Sequence, residues 1–208
     1  MPKSSQIKKL QKELELEVSD LPLAKSASDI VHGEGSVDSE IVLIGEAPGY
    51  HESVQRRPFV GRSGQLLRKT LIAVGLQPET VWISNIVKVR PPENRDPTPD
   101  EILAFRPYLD KEIEIISPKI IVTLGRFSMG KFLKDVRISQ VHGRLHKIKW
   151  QRKILFILPM YHPAAALRST KMKQSFLADF EKIKKILKWI DSQEESIQLE
   201  SNIADTLL

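Results

Sequence analysis

The stretch Ile41-Val42-Leu43-Ile44-Gly45-Glu46-Ala47-Pro48-Gly49 decides how the rest of the chain is read. Four consecutive apolar residues, three of them β-branched, predict a short buried strand. Gly45 closes the run and Pro48-Gly49 turns the chain. Glu46 is thereby left at the carboxyl end of the strand, where open α/β sheets bind their ligands. A second turn, Arg57-Pro58-Phe59-Val60-Gly61-Arg62-Ser63-Gly64, runs straight into a helical pattern. Such a turn lets backbone N–H groups approach an anion, and Arg62 adds charge.

Outward from this centre, apolar strands alternate with helical patterns. Ser4 or Ser5 can cap a helix reaching about residue 18, with Ile7, Leu10, Leu14 and Leu16 apolar. Residues 19–39 are rich in Ser, Asp and Gly and read as irregular. After Gly64, the apolar spacing of Leu66, Leu67, Leu71 and Val74 predicts a helix that Gly75 ends. A second strand is expected over 81–87, then a proline-rich irregular segment over 90–97. Thr98, Pro99 and Glu101 form a helix start with a capping box, and Ser117-Pro118 stops that helix near 116. Further strands are expected over 119–124 and 154–158, and a basic edge hairpin over 138–150. A last helix is predicted over 173–190. Continuous apolar strands between helices imply a parallel sheet covered on both faces. Glu46, Asn85, Gly125 and His162 then fall at or near the carboxyl ends of four strands, and so on one rim.

The chain has 208 residues, 41% of them hydrophobic, enough for one domain with a real core. Residues 1–190 are read as that domain and 191–208 as an acidic, flexible tail. The net charge is +6. The tail holds five acidic residues and no basic one, so residues 1–190 carry 32 basic against 21 acidic side chains, or +11. A body this cationic points to a polyanion such as nucleic acid. No apolar run approaches the ~20 residues of a membrane helix, and the start lacks a secretory pattern. A soluble, cytoplasmic protein is expected. Zero cysteines exclude disulfides, thiolate metal sites and cysteine nucleophiles.

Five motifs in order, Gly45-Glu46-Ala47-Pro48-Gly49, Arg57-Pro58-Phe59-Val60-Gly61, Ser84-Asn85, Arg90-Pro91-Pro92-Glu93-Asn94-Arg95 and His162-Pro163, resemble the family-4 uracil-DNA glycosylases. The match spans roughly residues 18–190. It implies a three-layer α/β/α fold around a four-stranded parallel sheet, and a monomer that excises uracil from single- or double-stranded DNA. By this resemblance Phe59 stacks on the flipped base, beside Ala47. Asn85 accepts from uracil N3–H and donates to O4, a pattern that cytosine inverts. His162 faces O2 and stabilises the departing anion. Glu46 is the carboxylate near the sugar. Related glycosylases place an Asp one residue later, where this chain has Ala47. Glu52 matches a position at the pocket mouth that helps to exclude thymine. Leu167 resembles the wedge that enters the duplex, Arg168 a phosphate or base-gap contact, and Arg62, Ser63 and Ser169 phosphate ligands. His142-Gly143-Arg144 also resembles a family segment, with no chemistry attached to it.

One departure is large. The family holds a four-iron–four-sulfur cluster on four cysteines, and the corresponding positions here are Val18, Leu21, Val89 and Phe105. Thiolate ligation is impossible, so no cofactor is expected and the four side chains are expected to form an apolar plug. Two alternatives stay open at this point. One is a non-catalytic family member that holds uracil-containing or single-stranded DNA. The other is a glycosylase for another deaminated base, such as hypoxanthine. A nucleotide-binding protein is weaker, since neither a P-loop nor GxGxxG occurs.

Overall fold

The computed structural model describes residues 1–151, 153–193 and 195. In chain order come α1 (Lys3–Leu16), β1 (Glu34–Gly35), β2 (Ile41–Gly45), α2 (Tyr50–Gln55), α3 (Arg62–Ala73), β3 (Trp82–Asn85), α4 (Pro99–Ile116) and β4 (Ile120–Leu124). Then follow α5 (Arg126–Gly130), α6 (Ile138–Val141), β5 (His146–Trp150), β6 (Lys153–Met160), α7 (Pro163–Ala166) and α8 (Thr170–Glu181). One sheet runs in the order β1-β3-β2-β4-β6-β5. Its four central strands are parallel, and β1 and β5 close the two edges antiparallel.

The sheet therefore has six strands where sequence predicts four. Both additions are edge strands that sequence patterning hides. The first, β1, is two residues long inside a polar stretch and is held by the register of Glu34 on Ile83. The second, β5, is expected as part of a hairpin within 138–150. Instead residues 138–141 are helical, and β5 pairs forward with β6, Trp150 opposite Lys153. Other corrections are local. The second strand is shorter than 81–87, and the fourth is longer than 154–158. The last helix starts at Thr170 because Ser169 caps it, its hydroxyl accepting from Met172 N. A further helical run, 183–193, carries Ile183 and Ile190 inward, and Asp191 pairs with Lys119 at 2.6 Å. The first residues of the acidic tail are thus helical; residue 194 and the tail from 196 on lie outside the described residues.

Strand alternation sorts the core into two layers. Val42, Ile44, Trp82, Ile121 and Ile157 face α1 and α4. Ile41, Leu43, Ile83, Val122 and Leu158 face α3 and α8. This is the α/β/α sandwich. Among the described residues no helix is long and apolar enough to cross a membrane. On the α4 face lies one buried charge pair. Lys88, fully buried, donates to both carboxylate oxygens of Glu112 at 2.9 and 2.8 Å and contacts the Ser84 hydroxyl. Pairing makes that charge tolerable in an apolar layer.

The four plug positions fall in or against one apolar cluster. Leu21, Val89 and Phe105 are 8%, 2% and 0% exposed and belong to one apolar cluster, with Val18 packed against it. Their side chains are hydrocarbon and offer no ligand atom, so they do not fit an iron–sulfur cluster. Backbone pairing reinforces the tie, with Val31 N donating to Lys88 O at 2.7 Å and an Ile30–Val89 bridge. Phe105→Ala should cost about 3–5 kcal/mol through the cavity it leaves. Hydrogen exchange should show residues 1–40 loosening before the sheet; uniform protection loss across the chain would contradict the plug.

Candidate active site

The four parallel strands place their carboxyl ends side by side. In sheet order these carry Asn85, then Glu46 just past Gly45, then Gly125, then His162 two residues beyond Met160. Together they line a cleft of about 520 Å³. The wall is completed by Ala47, Glu52, Phe59, Ser63 and Arg168, all expected from sequence, and by Asn94, Asp96, Arg126, Tyr161 and Met172, which are not.

Glycine makes the centre of the cleft possible. Gly45 and Asn85 are direct register partners. A Cβ on Gly45 would stand 2.3 Å from Asn85 Oδ1 and 2.4 Å from Phe59 Cζ. Any side chain at 45 would therefore push out the amide or the ring. Phe59 itself sits at φ 55°, a left-handed conformation costly for an aromatic residue. Its turn is held from both sides. Val60 N and Gly61 N donate to Glu52 Oε1 at 3.0 and 2.7 Å. Arg68 donates to the carbonyls of Phe59 and Pro58, each at 3.0 Å. Glu52 thus lies in the cleft wall with one oxygen committed to the Phe59 turn.

Asn85 is 3% exposed, and among the described residues nothing hydrogen-bonds its amide. A buried amide with donor and acceptor both unspent, turned to a cleft, is a site awaiting a planar polar ligand. Opposite, the rings of Phe59 and His162 lie 6.0 Å apart, tilted by 37°. His162 caps α7, its Nδ1 accepting from Ala164 N at 3.2 Å. That bond sets the tautomer and leaves Nε2–H as a donor. Burial, with a smaller push from Arg168, lowers the His162 pKa from 6.5 to about 4, against the pull of Glu52. The imidazole is neutral at ordinary pH. Glu46 is shifted the other way. Burial first, then the negative charge of Asp96, raise its carboxyl above the ordinary 4.5, while Arg126 opposes.

The segment 142–144 finds its role in support. His142 Nδ1–H donates to the buried Asp179 at 2.6 Å, and its ring stacks on Tyr161 at 4.4 Å. Gly143 N donates to Pro159 O at 2.8 Å. These contacts hold the exit of β6 next to His162. Asp96 and Arg126 form an ion pair across the cleft mouth, and Arg95 is engaged with Glu101. Arg62 and Arg168 have no ion-pair partner among the described residues. Arg62 is exposed at the start of α3, outside the cleft lining; Leu167, 44% exposed, stands beside Arg168 at the rim. The Ser169 hydroxyl accepts from Met172 N at 3.4 Å. Asp96 and Arg126 escape sequence reading because a charge in a proline-rich loop or after a strand-end glycine reads as solvated.

Residues 32–188 match the model of the uracil DNA glycosylase superfamily. The chain is 44% identical over 167 residues to a type-4 uracil-DNA glycosylase of Sulfurisphaera tokodaii, covering 76% of this chain and 75% of that one. It is 40% identical to those of Archaeoglobus fulgidus, over 77% and 83% of the two chains, and Thermotoga maritima, over 80% and 88%. The chain belongs to the uracil-DNA glycosylase superfamily and, within it, to the type-4 family.

Gly45→Ala should destabilise the protein by roughly 1–3 kcal/mol, the usual cost of overpacking. Gly130→Ala, whose Cβ meets nothing within 4 Å, serves as the control and should not. Urea unfolding of both variants checks this; equal midpoints would show that the approach at Gly45 relaxes freely.

Proposed function

We infer that the protein is a uracil-DNA glycosylase of DNA repair, which flips uracil out of DNA and hydrolyses its N-glycosidic bond to leave an abasic site. The observation that carries this is the unspent amide of Asn85, buried between Gly45 and the Phe59 ring. Uracil presents N3–H as donor and O4 as acceptor on its Watson–Crick edge, and one fixed amide answers both. Phe59 supplies the stacking wall. When the C1′–N1 bond breaks, its electron pair leaves with the base, and charge builds on O2. The Nε2–H of neutral His162 stabilises that charge without first needing a proton from solvent. Glu46 in its anionic form stabilises the cationic sugar and orients the water that attacks C1′. The water's oxygen bonds to C1′, and its proton is lost to solvent or to the carboxylate.

The remaining assignments follow from placement. Arg62, Ser63, Arg168 and Ser169 contact phosphates, and Leu167 fills the gap left by the flipped nucleotide. Single- and double-stranded DNA are both substrates, since the base is taken out of any stack. The named cleft groups form a site without help from a second subunit, which is compatible with action as a monomer. The protein works without an iron–sulfur cluster, and in the cytoplasm. A binding-only protein would have no use for Glu46 and a neutral His162 donor in the same cleft.

Oligonucleotides with a single U, T or hypoxanthine, followed by alkaline cleavage, test the reading. Uracil should be released; release of hypoxanthine with uracil untouched would replace it. Asn85→Ala should lower uracil release by on the order of 10²-fold with the fold intact. Asn85→Asp should fail as well, because a carboxylate cannot donate to O4. Near-normal release by both would remove Asn85 from the site.

The pH profile has a definite sign. Excision needs Glu46 deprotonated, so kcat/KM should rise with pH through a value above 4.5. His162 is neutral above about 4, so no second inflection should fall near 6.5. Asp96→Asn removes a negative charge near Glu46 and should move the acid limb to lower pH. A limb unmoved by Asp96→Asn would assign it to another group.

A further inference from the structure

Outside the cleft mouth stands an aromatic side chain that the chemistry above does not use. Tyr50, the first residue of α2, is 58% exposed although its ring is large and mostly apolar. The Arg90 guanidinium lies over that ring, 5.3 Å from its centroid. Arg90 is held there, since its Nε donates to Asn94 Oδ1 at 2.8 Å. No acidic residue among those described pairs with Arg90, so its charge is answered only by a ring face and an amide oxygen. His51 meets the edge of the same ring at 5.5 Å.

The group is continuous with the cleft. Gly49 and Asn94 both line it, and a Cβ on Gly49 would lie 3.9 Å from Asn94 Oδ1. Tyr50 follows Gly49 directly, and Arg90 is anchored on Asn94. The ring and guanidinium therefore sit one residue beyond the wall that would hold the flipped base. A flat exposed ring stiffened by a guanidinium is the element on which proteins stack single-stranded bases, because every base has a π-face. The free guanidinium edge adds a cation for the adjoining phosphate.

We propose that Tyr50 and Arg90 form a stacking platform for the base of a nucleotide flanking the uracil on the same strand. This rests on the glycosylase reading of the cleft. The platform matters most on single strands, where the flanking base has no partner to leave. It makes affinity depend on the presence of a neighbouring base and not on that base's identity.

The test uses the full chain and two single-stranded oligonucleotides with one uracil. In one the neighbours are ordinary nucleotides; in the other the neighbours on both sides are abasic analogues. Tyr50→Ala should lower kcat/KM about 10-fold on the first and leave the second unchanged, which also shows that the variant is folded. Tyr50→Trp should retain the wild-type value on the first. A second readout does not depend on excision. With 2-aminopurine beside the uracil, the wild type should quench its fluorescence on binding and Tyr50→Ala should not. Equal losses on both oligonucleotides, or no loss on either, overturn the platform. If the wild type releases uracil and shows no Tyr50-dependent quenching, the platform fails alone. If it quenches through Tyr50 but releases no uracil, the platform stands and the glycosylase reading falls.

Discussion

The contact on which the cleft depends is the approach of two side chains to a residue that has none. Gly45 ends the central strand, and the space where its Cβ would stand is filled by Asn85 Oδ1 and Phe59 Cζ, 2.3 and 2.4 Å from that point. The amide comes from the neighbouring strand by register, the ring from a turn 14 residues on. Gly64 repeats the device, since its Cβ would fall 2.0 Å from the Phe59 carbonyl carbon. Phe59 is seated against glycine twice, its ring on Gly45 and its backbone on Gly64, so the placing of this wall of the cleft comes from close contact with backbone. Preorganisation of this kind is settled during folding and is not left to the binding step.

Alternation along β3 gives the same strand two occupations. Asn85 faces the Phe59 layer and, among the described residues, has its polar atoms unpaired at the cleft. Ser84, one residue earlier, faces α4 and donates to Glu112 at 2.8 Å within the Lys88 network. Ser84 settles its hydroxyl inside that network, whereas the Asn85 amide, on the other face, is left unpaired at the cleft. Removing either partner of the Lys88–Glu112 pair would strand a charge in an apolar layer. The two electrostatic shifts at the cleft have a common origin, because burial drives both. It lifts the Glu46 carboxyl and depresses the His162 imidazole, in each case disfavouring the charged form.

Packing ties the segments that carry Val18, Leu21, Val89 and Phe105. Val18, Leu21, Val89 and Phe105 draw together the N-terminal segment, the strand-end loop and α4. Burial of such side chains contributes roughly 1.5–3 kcal/mol each. The adjoining backbone pairing between 30–31 and 88–89 gives the tie direction, which hydrophobic contact alone lacks.

Much of this was legible in the residues. Four apolar runs, each followed by a glycine, an asparagine or a histidine, are enough to predict a parallel sheet and a shared rim. Local patterning reports burial and turns, which are short-range properties, and the motif order names the family. Other features have no local signature. Edge strands β1 and β5 exist because a neighbour offers unpaired backbone, so polar or basic composition conceals them. The commitment of Glu52 to two backbone N–H groups, the support of His162 through His142 and Asp179, and the Asp96–Arg126 pair all join residues eight to 37 positions apart. Their roles depend on distances in space that a linear pattern does not encode. The sequence by itself determined the parallel sheet and that Glu46, Phe59, Asn85 and His162 share its rim, because these follow from strand ends and turns. Tertiary structure alone decided which remain free to act there, because hydrogen-bond partners and burial are assigned only when the layers close.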